Sequence, residues 1–543
     1  MNSLVNDRPE WSCYCHSDAN FCHSGANFQK EFGALGSDIS RRILAKYIES
    51  QHVFELNNAK HILNTIHQSL VIDDLDFSAE PALLRKFAQQ KADLCKSFGS
   101  DKFALQQMLA LFEHYQLGQL HYSKDEAINR LTDSKFWLRR IRRKTAECVS
   151  QIERAMGFVS KRHAIYCGDV SVKRHQFNLQ QSQQYLENTY LTNDEGLSIP
   201  LSEVTAHTIA NPIIRRHELM VRIRGFEEVA QHSGHSAAFV TLTTPSRMHV
   251  TRASGLPNEN YDGTPIKEAQ DYLNHVWQLI RAKLGREQIS PYGFRVVEPH
   301  HDGTPHWHLL LFMPPERLAN FKRIVSHYAL LDSPNEKGAQ KYRVNFVDID
   351  PSKGTAAGYI AKYIAKSIDG FAVGQDTFGN DSIEASQRIN AWAKTCSIRQ
   401  FQQIGGPSVT VWRELRRLKS CNTPEHDLND TYQAADSGNW AAYCIAMNAV
   451  GTPKKQHLLA PFYGVLETET IDFNTGEILQ TATNKYREVK KPVIQGLIYK
   501  SCAVKIPRTR WKLIQAPPQT HSEAHRQGGL AVRGRGLPLD LCK

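Results

Sequence analysis

The sequence predicts an α+β protein whose core is a ferredoxin-like antiparallel sheet with helices on one face. Three observations predict it. From residue 38 to 230, apolar residues recur every three or four positions and strand signals are sparse. From about 236 to 370, the segments read strand, helix, strand, strand, helix, strand, helix, which is a split ferredoxin-like pattern rather than a doubly wound one. After about 375 the signals weaken into a mixed region.

The chain is long enough for several domains. A single hydrophobic core usually closes at ~100–200 residues, and this chain has 543. Its 41% hydrophobic and 22% charged residues exclude a largely disordered protein. We predict five regions: a flexible tail containing cysteine and histidine (1–37), a mainly helical region (38–230), the sheet-bearing core (231–375), a mixed region (376–514) and a basic tail rich in Gly, Pro and Arg (515–543).

Charge favours an anionic partner. The 66 Lys and Arg residues against 55 Asp and Glu give a net charge of +11 at neutral pH, which suits nucleic acid. No stretch approaches the ~18–20 apolar residues of a spanning helix, and the amino terminus is polar, so membrane insertion and secretion are disfavoured. The 11 cysteines are mostly scattered and odd in number, which favours a reducing cytoplasm over a disulfide framework.

One cluster of cysteines stands near the amino terminus. Cys13, Cys15 and Cys22 are accompanied by His16 and His23. These residue types bind zinc, but the Cys-x-Cys spacing does not match the common knuckle with two intervening residues. Two interpretations stay open: a zinc site, and a flexible tail with incidental cysteines.

A basic run lies within the second strongly helical stretch, KFWLRRIRRKTAECVSQIERAMGFV. It consists of Arg139, Arg140, Arg142, Arg143 and Lys144. Such a run can bind phosphates, and it can equally form a solvated helix face. Binding of DNA by these residues is therefore one of two interpretations.

The elements of the core follow in order. AAFVTLTT is predicted to be a strand, and IKEAQDYLNHVWQLIRAKLG an amphipathic helix. YGFRVVEPH and PHWHLLLF are predicted to form an antiparallel hairpin, because Asp302 and Gly303 supply a turn between them. The remaining predicted elements are the helix PERLANFKRIVSHYALL, the strand YRVNFVDI, the helix GTAAGYIAKYIAKSI and, in the mixed region, a hairpin in VLETETIDFNTGEILQTAT.

The hairpin carries four of the 24 histidines within HHDGTPHWH. Alternation along a strand places His306 and His308 on one face. A three-residue loop with a glycine bulge would set His300 opposite His306 and Glu298 opposite His308. Imidazole and carboxylate together suit Mn²⁺ or Mg²⁺. A surface hairpin rich in histidine, or a structural zinc site, is the alternative.

The last helix carries a second constellation. Tyr359, Lys362, Tyr363 and Lys366 lie on one stripe, beside an apolar stripe of Ile360, Ile364 and Ile368. A phenol is mostly protonated at neutral pH and becomes a useful nucleophile where lysines and a metal stabilise the phenolate. A metal and a tyrosine together would suit attack on a phosphodiester. Alternatively, the helix lies at an interface with its lysines solvated.

At PHWHLLLF and GYIAKYIAKS the sequence resembles the HUH endonucleases, in which a His-hydrophobe-His strand precedes a tyrosine helix. FVTLT, residues 239–243, looks like their first motif. The two tyrosines with Lys362 between them resemble those of phage rolling-circle initiators. With the upstream segment ANPIIRRHELMVRIRGFEEVAQHSG, the layout of residues 130–420 resembles the bacteriophage replication gene A protein family.

The resemblance implies that the core is an HUH endonuclease domain that nicks a phage origin in single-stranded or supercoiled DNA. It implies that His306 and His308 are metal ligands with Glu298 or His300 as the third, and that Tyr359 and Tyr363 are nucleophiles forming a 5′-phosphotyrosine. Lys362 and Lys366 would contact the phosphate or moderate the phenols. A host helicase, a host DNA polymerase and the bacterial host cytoplasm are implied as partners and location.

Two other functions stay open. A plasmid relaxase or a two-tyrosine transposase would use the same chemistry for a different task. A non-catalytic, metal-stabilised DNA-binding protein would use the histidines structurally and the basic run for phosphates. Only the nickase and its relatives predict a covalent protein–DNA adduct.

Overall fold

The computed structural model describes residues 72–75, 79–349, 354–371, 374, 379, 381–418, 425–471 and 478–515. The chain divides into two compact units, Met1–Ile152 and Glu153–Lys543. Outside the described residues lie the predicted tail 1–37 with Cys13, Cys15 and Cys22, the helices predicted before residue 72, and all but the first residue of the predicted tail 515–543. The five predicted regions stay predictions.

The described part of the first unit is helical. Its helices are α1 (Pro81–Ser97), α2 (Lys102–His114), α3 (Lys124–Leu131) and α4 (Ser134–Ala155), the last of which crosses the division between the units. Asp101 caps α2, because its side chain accepts a hydrogen bond from the Ala104 N–H at 2.7 Å. Buried Trp137 donates from its indole nitrogen to the Leu131 carbonyl oxygen at 2.7 Å, which ties α4 to α3.

The second unit mixes helices and strands. Its helices are α5 (Asp169–Glu187), α6 (Leu201–Ala206), α7 (Pro212–His232), α8 (Ile266–Arg286), α9 (Pro315–Ala329), α10 (Ala339–Tyr342), α11 (Ala356–Ile368), α12 (Ser382–Thr395), α13 (Val409–Leu415), α14 (His426–Asp436) and α15 (Trp440–Ala446). Its strands are β1 (Tyr190–Asn193), β2 (Ser198–Pro200), β3 (Ser236–Leu242), β4 (Tyr292–Pro299), β5 (Pro305–Met313), β6 (Val344–Asp348), β7 (Phe401–Ile404), β8 (Leu459–Gly464), β9 (Thr468–Ile471), β10 (Ile478–Thr481), β11 (Val493–Tyr499), β12 (Cys502–Lys505) and β13 (Trp511–Ile514).

The central sheet confirms the α+β class. Its strand order is β6-β3-β5-β4-β7, and every neighbouring pair is antiparallel. The predicted succession of β3, α8, β4, β5, α9, β6 and α11 is confirmed, with the short α10 added before β6. The sequence did not indicate β7, which extends the sheet beside β4. The predicted hairpin of the mixed region is present as β9 and β10.

Helices cover both faces of this sheet, so the prediction of helices on one face is wrong. On one face, Phe239 and Leu310 belong to a core with Phe226 of α7 and Ile360 of α11. The opposite face includes Trp307 and packs against α8 and α9. The reason is that β4 is buried along its whole length, so neither of its faces is left to solvent. A side chain such as Ile360 contributes roughly 1.5–3 kcal/mol through burial.

Two smaller sheets join distant parts of the second unit. β13 pairs with β1 and β1 with β2, so the strand at 511–514 lies beside residues 190–193. β8, β11 and β12 form a separate antiparallel sheet. Within the described ranges, none of the helices combines the length and the apolar composition needed to span a lipid bilayer.

Candidate active site

The predicted hairpin is confirmed, but its register differs from the predicted one. Glu298 lies opposite His306, and Val296 lies opposite His308. The pairing of His300 with His306 and of Glu298 with His308 is therefore wrong by two residues. The two histidines still share one face of β5, because side chains alternate along a strand. Glu298 stays beside them on the neighbouring strand.

The loop of the hairpin explains the shift. The His300 N–H donates to the Thr304 carbonyl oxygen at 2.7 Å, and the Gly303 N–H donates to the His300 carbonyl oxygen at 2.9 Å. Gly303 has a φ of +79°, so residues 301–303 form the predicted three-residue loop with a glycine bulge. A loop this short sets His300 opposite Thr304, and the pairs farther along the strands follow from that closure.

We expect Gly303→Ala to destabilise the protein. A Cβ at this position would lie 3.2 Å from the Tyr166 carbonyl oxygen, and its φ of +79° disfavours any side chain. The expected loss is ~1–3 kcal/mol in the free energy of unfolding, measured by urea denaturation. Gly285→Ala is the matched control, because a Cβ there meets nothing within 4 Å and alanine favours a helix by up to ~1 kcal/mol. Equal free energies of unfolding for the two variants would show that the backbone at position 303 does not disfavour a side chain.

Three side chains on this face converge. One ligand atom from each of Glu298, His306 and His308 lies within 4.8 Å of the others. The Nε2 atoms of the two histidines are 3.0 Å apart, and His308 Nε2 is 3.8 Å from Glu298 Oε2. Two imidazoles and a carboxylate are a donor set that holds a divalent ion. The geometry therefore groups Glu298, and not His300, with the histidines.

Burial keeps the two imidazoles neutral. It lowers the pKa of His306 well below the usual range of histidine. It also lowers the pKa of His308 to about 3, with the positive charges of Lys366 and Lys362 adding to the effect. Neutral imidazole is the form that binds metal ions. Burial raises the pKa of Glu298, while the ammonium group of Lys366 and the Ser367 hydroxyl oppose that rise.

Neighbouring elements orient these groups. The Thr241 hydroxyl on β3 lies 3.1 Å from His308 Nδ1, so it holds the ring by the nitrogen that faces away from the cluster. Lys366 Nζ donates to Glu298 Oε2 at 3.4 Å, and the Ser367 hydroxyl donates to Oε1 at 3.1 Å. Thr241 falls within the FVTLT segment, which is the one signal in the sequence that pointed to it. Ser367 likewise falls at the end of the GYIAKYIAKS segment, although the sequence indicated no role for it.

The two lysines of the tyrosine helix occupy different environments. Lys366 is buried, with 8% of its surface exposed, and its ammonium group also lies 4.9 Å from the centroid of the Tyr166 ring. Lys362 is exposed, and its Nζ lies 5.0 Å from the centroid of the Tyr363 ring. The structure therefore brings Lys366 to Glu298 and Lys362 to a phenol.

The two tyrosines also differ. The Tyr363 ring lies against the imidazole of His308, with ring centroids 4.0 Å apart and planes inclined by 32°. Tyr359 contacts Phe239 at a centroid distance of 6.4 Å, and Phe239 also stacks on Tyr363 at 5.5 Å. Burial, together with the negative charge of Glu298, raises the pKa of Tyr363. The structure thus brings Tyr363 to the histidines, with Tyr359 one turn earlier on the helix.

The amino end of α11 is fixed by two caps. The Thr355 hydroxyl accepts a hydrogen bond from the Gly358 N–H at 3.1 Å. Glu227 of α7 accepts from the Ala356 N–H at 2.5 Å and from the Ala357 N–H at 3.4 Å. The three isoleucines of the predicted apolar stripe are buried in the core. The caps and the buried stripe together set the rotation of the helix that carries the tyrosines.

A buried network supports the loop of the hairpin. Asp302 is fully buried and accepts hydrogen bonds from the Val250 N–H at 3.0 Å and the Thr304 hydroxyl at 2.9 Å. The Arg154 guanidinium donates to the Asp302 carbonyl oxygen at 3.1 Å and to the Thr304 hydroxyl at 3.0 Å. Burial alone would raise the pKa of Asp302, but His249 and Arg154 hold it well below the usual range. The sequence indicated Asp302 only as a turn residue, and it did not single out Arg154.

The predicted basic run lies on α4, in the first unit. Trp137 and Ile141 of the same helix are fully buried. The exposed members are Arg139, Arg142 and Arg143, and the half-buried ones are Arg140 and Lys144. Although Arg142 is exposed at the surface, partial desolvation of its guanidinium group, with the charge of Arg85, lowers its pKa. Binding of DNA by this run stays a prediction.

A protein-family model described as bacteriophage replication gene A protein matches residues 84–371, a little more than half of the chain. The matched range contains both the histidine hairpin and the tyrosine helix α11. No solved structure matches the chain.

Curated relatives come from phages and prophages. The chain is 40% identical over 345 residues to the replication gene A protein of Escherichia phage 186, covering 61% of this chain and 49% of that protein. It is 39% identical over 330 residues to the probable replication protein P12 of Pseudoalteromonas phage PM2, covering 59% and 51%. It is 29% identical over 433 residues to a probable replication endonuclease from prophage-like region 1 of Salmonella typhi, covering 76% and 52%. The chain thus spans about half the length of the curated relatives it matches.

Proposed function

This chain belongs to the bacteriophage replication gene A protein family, and we propose that it is a site-specific single-strand DNA endonuclease and ligase. It nicks a phage replication origin through a 5′-phosphotyrosine and so initiates rolling-circle replication. The observation that carries the proposal is the contact between the Tyr363 ring and the His308 imidazole, whose centroids lie 4.0 Å apart. His308 belongs to the group of side chains that can hold a metal ion. The names of several relatives as replication endonucleases support it.

The fold supports an HUH nuclease core. In chain order, β3, α8, β4, β5, α9 and β6 alternate as in a split βαβ unit, and β3 and β5 are neighbouring interior strands of the sheet. The tyrosine helix α11 follows and packs on the face that carries the histidines. These features support a ferredoxin-like arrangement in which the hairpin and the helix meet.

Glu298, His306 and His308 would hold Mn²⁺ or Mg²⁺. The carboxylate suits both ions, and the imidazoles favour Mn²⁺. When bound, the ion supplies positive charge that polarises a phosphate oxygen and offsets charge in the transition state. The remaining catalytic work falls to the side chains of the helix.

Tyr363 would attack the scissile phosphorus. Its phenol loses a proton, the phenolic oxygen forms a bond to phosphorus, and the bond from phosphorus to the 3′ oxygen breaks. The 3′ oxygen takes up a proton and leaves as a free hydroxyl. The exposed ammonium group of Lys362, 5.0 Å from the Tyr363 ring centroid, is placed to stabilise the phenolate.

Tyr359 would serve the second cleavage. The phosphotyrosine bond retains the energy of the broken phosphodiester, so a free 3′ hydroxyl can attack it and reseal the strand without ATP. Two phenols on adjacent turns of α11 allow one strand end to stay attached while the other tyrosine cleaves again. A relay of this kind suits replication of a circle, and membership of the replication family favours it over a relaxase or transposase.

We expect the two tyrosines to be non-equivalent. Because only Tyr363 lies against His308, Tyr363→Phe should lower the first cleavage of origin DNA by ~10³-fold or more. Tyr359→Phe should leave that first cleavage within a few-fold and impair the second. Single-turnover formation of the adduct, followed by transfer to a second origin strand, measures both steps. Equal first-cleavage rates for the two variants would contradict the assignment.

Incubation with origin DNA tests the function itself. With Mn²⁺, supercoiled or single-stranded phage origin should yield a nick with protein on its 5′ end and a free 3′ hydroxyl. A chelator should suppress the nick. Binding of DNA without an adduct in the presence of Mn²⁺ would instead support a non-catalytic DNA-binding protein. Sequencing the attached DNA identifies the origin.

The proposed partners follow from this function. The exposed arginines of α4 would bind the phosphates of the origin DNA. A host helicase would unwind the duplex, and a host DNA polymerase would extend the free 3′ hydroxyl, in the cytoplasm of the bacterial host. Neutralising Arg139, Arg142 and Arg143 together should weaken binding of the protein to every DNA sequence. It should also reduce the dependence of the DNA affinity on salt concentration.

A further inference from the structure

His300 has no role in the proposed chemistry, although it lies beside the metal group. We propose that it is a positioning residue for His306. A neutral His300 accepts a hydrogen bond, through one water molecule, from the ring nitrogen of His306 that faces away from the ion. It thereby fixes the orientation of His306 without binding the ion itself. The proposal rests on the proposed metal site.

The two metal-binding histidines are supported unequally. A histidine that binds a metal through one ring nitrogen almost always donates its other ring N–H to a protein or water acceptor. For His308 the Thr241 hydroxyl occupies that position, 3.1 Å from Nδ1. The corresponding atom of His306, Nδ1, is buried and has no hydrogen-bond partner among the described residues. His306 therefore needs an acceptor.

His300 carries the matching unsatisfied atom. Its Nε2 is also buried and has no partner in the described part of the chain. The rings of His300 and His306 are adjacent, with centroids 4.0 Å apart and planes inclined by 31°. Two buried, unsatisfied nitrogens on adjacent rings would each cost free energy if left alone. Because the rings lie face against face, one water molecule at their edges, rather than a direct contact, would satisfy both nitrogens with one hydrogen-bonded link.

The geometry argues against His300 as a ligand. It is absent from the group of ligand atoms that lie within 4.8 Å of one another. His249 also contacts the His300 ring, with centroids 5.0 Å apart, and His249 Nδ1 is 3.2 Å from the buried carboxylate of Asp302. His300 thus stands between the loop network and His306, where it can transmit the rigidity of the loop to the metal group.

Manganese binding to the full chain tests the proposal. The probe is Mn²⁺ alone, titrated by electron paramagnetic resonance, and the variants are His300→Phe and His300→Gln. Phenylalanine keeps a ring but no nitrogen, so H300F should bind Mn²⁺ ~10–100-fold more weakly, as expected for loss of an outer partner of a ligand. Glutamine keeps an acceptor oxygen, so H300Q should recover most of that loss.

Electron spin echo envelope modulation separates positioning from ligation. We expect two coordinated imidazole nitrogens in the wild type, and the same two in H300F and H300Q. Three nitrogens in the wild type would make His300 a ligand and overturn the proposal. Unchanged Mn²⁺ affinity in H300F, with wild-type binding intact, would also overturn it. Failure of the wild type to bind Mn²⁺ would instead overturn the metal site of the proposed function. The wild-type spectrum and H300Q decide the question even if H300F does not fold.

Discussion

The double variant Tyr359→Phe with Tyr363→Phe should form no covalent adduct with origin DNA. Each change removes one hydroxyl and keeps the ring, so the stacking of position 363 on His308 and Phe239 is preserved. Loss of both nucleophiles removes the covalent step, which we expect to lower cleavage by ~10⁴-fold or more. Denaturing gel electrophoresis of radiolabelled origin DNA measures the adduct directly.

DNA binding provides the control for this variant. Affinity for the origin, measured by fluorescence anisotropy, should change by less than about threefold, because the phenolic hydroxyls contribute little to binding of the phosphate backbone. Tyr342→Phe is the matched control, since Tyr342 is 65% exposed in the same unit; it should retain full activity. Adduct formation by the double variant would exclude both tyrosines as the nucleophiles.

The variants His306→Ala and His308→Ala should each lose metal-dependent cleavage. Each removes one of the two proposed imidazole ligands, whose Nε2 atoms lie 3.0 Å apart. We expect Mn²⁺ affinity to fall by ~10²-fold or more, because loss of a ligand exceeds the ~10–100-fold effect of losing an outer partner. Cleavage under metal-limited conditions should fall by at least the same factor. Isothermal titration with Mn²⁺ and a nicking assay in metal-buffered solution measure the two effects.

An exposed histidine on α9 gives the matched control for the metal. His327→Ala removes an exposed imidazole from α9, which packs on the face of the sheet opposite to the histidine pair, and it should change neither affinity nor cleavage. Wild-type cleavage that survives strict chelation would argue that the histidines are structural. Unchanged Mn²⁺ affinity in both H306A and H308A would place the ion elsewhere.

Local patterns predicted much of the fold and the outline of the site. The alternation of apolar residues placed β3, β4, β5 and β6, and the Asp302-Gly303 pair placed the hairpin loop, because both signals depend on neighbouring residues. The same alternation predicted that His306 and His308 share a face. Spacings of three and four predicted the isoleucine stripe of α11 that the core confirms.

The register of the hairpin strands could not be predicted from neighbouring residues alone, and the predicted register was wrong. The pairing of Glu298 with His306 depends on where the loop closes, and a two-residue error in counting moves every pair on the strands. The strand β7 is only four residues long, and its partner β4 lies about a hundred residues earlier in the sequence. Contacts of this kind leave no periodic signal within either segment.

By itself, the sequence determined the candidate residues for the proposed chemistry: a histidine pair on a strand, a carboxylate before it and two phenols on a helix. These follow from residue type and spacing, which are local properties. The tertiary structure alone decided that Lys366 is bound to Glu298, that Tyr363 rather than Tyr359 lies on His308, and that Arg154 supports the loop. Those contacts depend on helix rotation and on packing between residues far apart in the chain, which cooperative burial of the whole core sets.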